Sequence, residues 1–241
     1  MVTNIKGKKI SYERLGKGSP ILFIHGWGGD KKSLKGIAEL LPDHSCYLLD
    51  LPGRGQSDLP DSNWGVKEYA NLVLDFINKV IKSKVCIVGH SFGGTLGVFL
   101  ASQFEAVDKL ILYAPSYRRT VGSAQSGKSV LRSIFKSFPL IRKLYYRIFY
   151  PNSDLFKVPG LESNFVKIVN EDLTKYLEDI RCRTLIFWGS DDIETPLNDA
   201  YVLKDKVKSS ILHIVGGFGH ELPVFYPEVT IEQVKFFLKK K

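Results

Sequence analysis

Lys84-Val85-Cys86-Ile87-Val88-Gly89-His90-Ser91-Phe92-Gly93-Gly94 decides how this chain is read. Its first five residues, apolar from Val85 to Val88, are strand-like and fit a strand buried on both faces of a parallel sheet. Residues 95–103, just beyond it, are helix-like. Between the two stands G-x-S-x-G, a pattern that carries meaning in a strand–turn–helix setting. The turn is tight enough to hold its central residue at strained dihedrals, so the residues two positions either side must be small. Gly89 and Gly93 meet that need. The turn aims the Ser91 hydroxyl off the sheet edge and places the Phe92 N–H at a helix N-terminus, where it can donate to a developing oxyanion. The plainer alternative is that Ser91 only caps the helix.

Outward from this segment, strands and helices alternate. Residues 2–6 and 9–14 are β-like and joined at Gly7-Lys8. Residues 20–25 form a second continuous apolar run, ending in glycines. Residues 46–50, 107–113, 183–188 and 210–215 also read as strands. Helical spacing marks residues 33–41, 66–81, 197–203 and 227–238. This rhythm predicts an α/β protein with a mostly parallel sheet flanked by helices. Residues 115–170 break the rhythm and are mostly helix-like, so we expect a core of residues 1–114 and 171–241 with a helical cap inserted at 115–170.

A serine hydroxyl needs a base, and the base needs an acid to orient it. Of five histidines, His220 lies in Gly216-Gly217-Phe218-Gly219-His220, a loop just past the last strand, at the sheet end toward which Ser91 points. A surface histidine is the plainer reading. The segment after residues 184–188 offers Asp191, Asp192 and Glu194 as the acid. A second oxyanion donor is available at Trp27, in His25-Gly26-Trp27-Gly28-Gly29, where glycines let backbone approach a substrate closely. Loss of one such donor costs about 2.7–4 kcal/mol of transition-state stabilisation. The same glycines do not complete a dinucleotide loop, because Lys31 stands where the third would be.

Together these segments resemble the α/β-hydrolase superfamily over residues 10–237, the insertion excepted. His25-Gly26-Trp27-Gly28 resembles its oxyanion loop, and Asp50-Leu51-Pro52-Gly53-Arg54-Gly55-Gln56-Ser57-Asp58 its D-x-P-G-x-G-x-S turn, which is structural. Trp188-Gly189-Ser190-Asp191-Asp192 with Pro196 resembles W-G-x-x-D-x-x-x-P, which implies Asp192 as the acid. Gly219-His220 resembles the histidine segment. The resemblance therefore implies catalytic Ser91, Asp192 and His220, oxyanion donors Trp27 and Phe92, and neither cofactor nor metal. Haloalkane dehalogenases and epoxide hydrolases of this fold carry Asp where Ser91 stands. Hydrolases of C–C bonds in ring-fission products commonly carry Trp where Glu221 stands. The chain is most similar to small serine carboxylesterases with a helical cap, among them esterases of pimeloyl-carrier-protein methyl ester. Ligand receptors that keep a vestigial triad are a further alternative.

The 241 residues suit one large domain or a domain with an insertion. The formal charge of +9 is not spread evenly. Residues 115–170 hold ten basic and two acidic side chains, a net +8, and the remainder 24 and 23, a net +1. Within residues 128–149 the basic side chains fall on one helical face, opposite Phe135, Phe138 and other apolar residues, with Pro139 a break. Phe135 and Phe138, with Trp27 and Phe92, are expected to line an apolar pocket for a small-molecule ester. The basic face is either solvated, or a dock for an acidic carrier protein or substrate, or an interfacial surface on anionic lipid. Nucleic acid is not expected, as no recognition motif accompanies the charge. The three scattered cysteines, the absence of an apolar leader and the lack of a membrane-length apolar run predict a cytoplasmic protein without stable membrane insertion.

Overall fold

The structure, a computed structural model, describes residues 1–118 and 158–239. Eight strands are formed: β1 Val2–Ile5, β2 Lys8–Leu15, β3 Ser19–Ile24, β4 His44–Leu49, β5 Val85–His90, β6 Val107–Tyr113, β7 Arg183–Gly189 and β8 Ser210–Val215. They make one sheet in the order β1-β2-β4-β3-β5-β6-β7-β8. The pairs from β4 to β8 are parallel, while β1–β2 and β2–β4 are antiparallel. The fold is the mostly parallel α/β sheet that the alternating pattern predicts.

The buried runs explain the central strands. Ile21, Leu22, Phe23 and Ile24 are all essentially inaccessible. Leu22 and Ile24 join the core on one sheet face, with Tyr69, Val73, Phe92 and Leu96. Ile21 and Phe23 join the core on the other, with Leu34, Ile37, Phe187 and Val234. Each such side chain removed from water contributes about 1.5–3 kcal/mol. The helix Phe92–Gln103 is buried throughout its first nine residues and packs against β5 and the helix Val66–Phe76. That arrangement fixes Ser91 between a buried strand and a buried helix.

Several boundaries differ from the expected ones. The first hairpin turns at Lys6 and Gly7, because Lys8 already pairs with Ile5. Both turn residues have positive φ, 49° and 83°, as a two-residue hairpin loop of matching twist requires. The helix expected over residues 66–81 is α-helical only to Phe76 and continues as a π-helical turn over Ile77–Ile81. The Lys82 N–H closes that turn on the Ile77 carbonyl at 2.7 Å, with Lys82 left-handed at φ 62°. The expected helix over residues 227–238 is a 3₁₀ turn, Pro227–Val229, followed by an α-helix, Ile231–Lys239.

The connection from β6 to β7 contains the helix Glu162–Val169 and the 3₁₀ segment Thr174–Asp179, and no strand among the described residues. The basic stretch over residues 128–149 lies outside them, as do Phe135 and Phe138. Asn164 moors the helix to the core: its Nδ2–H groups donate to the carbonyls of Asp61 and Trp64 at 2.8 and 3.1 Å. Among the described residues no helix is long and apolar enough to cross a membrane.

The glycines flanking Ser91 are sterically required. A Cβ on Gly93 would stand 2.0 Å from the Ile24 carbonyl oxygen, and one on Gly89 2.5 Å from that of Gly93. Both obstacles are backbone and cannot swing aside. Gly93→Ala is expected to lose about 3 kcal/mol or more of unfolding free energy in urea titration. Gly216→Ala, which meets nothing within 4 Å, should stay within about 0.5 kcal/mol of the parent.

Candidate active site

The loops after β3, β5, β7 and β8 all leave the carboxyl end of the sheet, and they carry Trp27, Ser91, Asp192 and His220. Ser91 sits at φ 50°, ψ −117°, a conformation rare for a residue with a Cβ. Its N–H donates to the Tyr113 carbonyl at 2.9 Å, and its carbonyl accepts from Thr95 N–H at 3.0 Å. Ser91 occupies the N-cap position, yet its side chain makes no capping hydrogen bond. The hydroxyl instead lies 3.4 Å from Ser116 Oγ. The capping role is therefore not what holds Ser91 in place.

His220 and Asp192 come together on neighbouring loops. Nδ1 of His220 lies 2.8 Å from Asp192 Oδ2, with the two side chains 5% and 0% exposed. A carboxylate only accepts, so Nδ1 carries the proton and Nε2 presents its lone pair. The aspartate is fully engaged. Oδ1 accepts from the N–H groups of Glu194 and Thr195 at 2.9 and 2.8 Å, and Oδ2 also accepts from Thr195 Oγ1 at 2.7 Å. Asp191 points away and accepts from Ser190 Oγ at 2.6 Å. Glu194 approaches the other imidazole nitrogen, with Oε2 3.8 Å from His220 Nε2. Of the three acids in this segment, the structure pairs Asp192 with Nδ1.

Charge follows geometry. Burial works against an imidazolium at His220, but the Asp192 hydrogen bond and charge outweigh it, with Glu194 and Glu221 adding to them, and the pKa rises above its ordinary value. Burial likewise works against the Asp192 carboxylate, and the bonds from His220 and Thr195 overcome it, so its pKa falls.

Two further histidines hold backbone. Leu51 N–H donates to His25 Nε2 at 3.1 Å, which puts the His25 proton on Nδ1, and Nδ1–H donates to the Gly26 carbonyl at 2.7 Å. That carbonyl and the Trp27 N–H share one planar trans peptide, so fixing the first orients the second. His90 Nε2–H donates to the His220 carbonyl at 2.9 Å, tying the nucleophile turn to the histidine loop. Burial pushes His25 down to about 4 and His90 down to about 3, so both are neutral near pH 7. No sequence signal assigns a role to either side chain or to Thr195.

Aromatic rings pack around Trp27 and Phe92, the two residues expected to supply the oxyanion donors. Trp27 meets Phe92 edge to face, with centroids 5.6 Å apart. Phe165, from the helix Glu162–Val169, meets Trp27 at 5.5 Å. Phe165 is not among the residues the sequence marks out; the signal for it is an apolar position in the helix-like stretch 115–170.

Fold and site identify the chain's family: residues 21–233 match the model of the alpha/beta hydrolase family, and the chain belongs to it. It is 29% identical to a candidate esterase/lipase of Mycoplasma pneumoniae, over 90% of this chain and 88% of that protein. It is 24% identical to the 2-hydroxy-6-oxo-2,4-heptadienoate hydrolase of Pseudomonas putida, over 97% of this chain and 91% of that one. An esterase structure from Exiguobacterium antarcticum superposes with TM-score 0.79 at 23% identity, covering 99% of both chains. An uncharacterized Mycobacterium tuberculosis protein is 37% identical over 110 residues, 45% of this chain, and the match spans only 32% of that longer protein.

The raised His220 pKa has a sign that can be checked. Reactions that need neutral His220 should lose rate on acidification with an inflection above 6.5, the ordinary imidazole value. Removing the Glu194 charge removes support for the imidazolium, so Glu194→Gln should move this acid limb to lower pH. Glu194 is partly exposed, which limits the shift to roughly 0.2–0.7 pH unit. An upward move in the pH–rate profile would refute the assignment.

Proposed function

We propose that this hydrolase cleaves carboxylic esters through an acyl-enzyme. The observation that carries the reading is the buried His220–Asp192 pair, 2.8 Å apart, at the same sheet end as a strained and uncapped Ser91. Ser91 Oγ attacks the ester carbonyl as His220 Nε2 takes its proton. The Trp27 and Phe92 N–H groups receive the oxyanion. The tetrahedral intermediate expels the alcohol, which takes the proton from His220. A water then attacks the acyl-enzyme with His220 again as base, releasing the acid and free Ser91. Asp192 keeps the imidazole in its working tautomer and stabilises its charged form. Trp27, Phe92 and Phe165 form the apolar wall against which the acyl group lies, and Phe135 and Phe138 belong to the same pocket in this reading. The chemistry needs no cofactor.

Short p-nitrophenyl esters test this directly. Ser91→Ala should abolish turnover, and Asp192→Asn should lower kcat by roughly 10³–10⁴-fold through the wrong imidazole tautomer. Activity that survives Ser91→Ala overturns the mechanism.

A second reading, hydrolysis of a C–C bond, is supported by the likeness to the Pseudomonas hydrolase. Glu221 after His220 speaks against it, since such hydrolases commonly carry Trp at that position. Turnover of a vinylogous diketone faster than of any ester would reverse the order of the two readings. The +8 charge of residues 115–170 supports an acidic carrier protein or anionic substrate as the partner of the entrance. Raising salt should then depress turnover of an anionic or carrier-borne ester several-fold while sparing a neutral one; equal responses contradict docking. Three free cysteines, Cys46 and Cys86 of them buried, support a reducing compartment such as the cytoplasm.

A further inference from the structure

Arg54 lies in the turn over residues 50–58, a segment whose motif is otherwise structural. Its guanidinium reaches across to the loop after β3. Nε–H donates to the Gly29 carbonyl at 2.7 Å, and an Nη2–H donates to the Gly28 carbonyl. These are the carbonyls of the two residues that follow Trp27. The loop reverses between Gly26 and Gly29, closed by Gly29 N–H on the Gly26 carbonyl at 3.1 Å. Gly28, at φ 94°, takes the third position of that turn, where positive φ is required. Two adjacent glycines have wide conformational freedom, and nothing in their own side chains restrains their carbonyls.

The turn that carries Arg54 is itself anchored. The Asp50 carboxylate is completely buried and accepts from Lys31 N–H at 2.8 Å, the Lys31 ammonium at 2.7 Å and Gln56 N–H at 3.0 Å. Lys31 belongs to the oxyanion-loop segment and Gln56 to the Arg54 turn. Asp50 therefore cross-links the two segments at Lys31, just past Gly29, and Arg54 cross-links them at Gly28 and Gly29. A planar guanidinium suits two carbonyls one residue apart, because its N–H groups are fixed in a fork; a lysine ammonium offers a single point of charge.

We infer that Arg54 is a positioning residue that pre-organises the oxyanion loop by fixing the Gly28 and Gly29 carbonyls, and that it sets turnover rather than substrate affinity. The inference rests on the reading of Ser91 as nucleophile and Trp27 N–H as oxyanion donor. Arg54 need not touch substrate. It keeps the turn from relaxing, so the donor is aimed before the oxyanion develops, which is where such donors gain their effect.

The test compares Arg54→Lys and Arg54→Ala with the parent in two reactions. One is hydrolysis of a neutral p-nitrophenyl ester. The other is phosphonylation by an alkyl fluorophosphonate: Ser91 Oγ bonds phosphorus, fluoride leaves, the hydroxyl proton passes to His220, and the phosphoryl oxygen occupies the oxyanion hole. For Arg54→Ala, kcat should fall about 10–30-fold with KM within about twofold, and the phosphonylation rate should fall by the same factor. Arg54→Lys should lie between, and millimolar ethylguanidinium should restore part of the alanine variant's loss. Thermal unfolding shows whether each variant is folded; if the alanine variant is not, the lysine variant carries the test. A change confined to KM, or phosphonylation that does not respond, overturns the inference. A parent that hydrolyses no ester but is phosphonylated in an Arg54-dependent way refutes the ester reading and leaves the clamp standing.

Discussion

A residue with a Cβ does not rest at φ 50°, ψ −117° unless its surroundings hold it there, at a cost of about 1–3 kcal/mol. For Ser91 the holding forces are backbone contacts. Its N–H is drawn to Tyr113 on β6, its carbonyl starts the helix Phe92–Gln103, and Gly93 lies against the Ile24 carbonyl of β3. Three neighbouring strands and one buried helix thus converge on one peptide unit. The strain persists because relaxing it would separate elements whose apolar faces are fully buried. The hydroxyl that results is presented at the sheet edge with no local hydrogen bond to its own helix.

The rest of the site repeats this device of fixing backbone through buried groups. His25 fixes the Gly26 carbonyl, Arg54 those of Gly28 and Gly29, and His90 that of His220. The three histidines differ in environment, and the difference separates their roles. His25 and His90 are buried and hydrogen-bond to backbone groups, so burial drives them neutral. His220 has carboxylates at both nitrogens, so its charged form is supported. Two of the histidines serve as fixed donors to backbone, and the third has its charged form supported by neighbouring carboxylates.

Much of this was readable in the chain because it depends on local spacing. A continuous apolar run marked β3, strand-like stretches marked β5, β6 and β7, and the two glycines around Ser91 marked the tight turn between strand and helix. His220 followed from a short segment after the last strand, while Asp192 was singled out from Asp191 and Glu194 only by the resemblance of residues 188–196 to the family's W-G-x-x-D-x-x-x-P segment. What stayed hidden depends on contacts between distant segments. His90 meets the His220 carbonyl 130 residues away, and Arg54 meets Gly29 25 residues away. No periodicity encodes either contact. The π-helical turn at Ile77–Ile81 was likewise invisible, since its apolar spacing is that of the α-helix before it. The concentration of basic charge in residues 115–170 is plain in the sequence.

The central claim is that Ser91, and no other group, becomes covalently acylated. Acid quenching of the protein during steady-state turnover of a p-nitrophenyl ester, followed by peptide mass spectrometry, tests it most directly. The account predicts an added acyl mass on the peptide containing Ser91, lost when that residue is alanine. Turnover with no acylated peptide, or with the acyl group on a different residue, would contradict it.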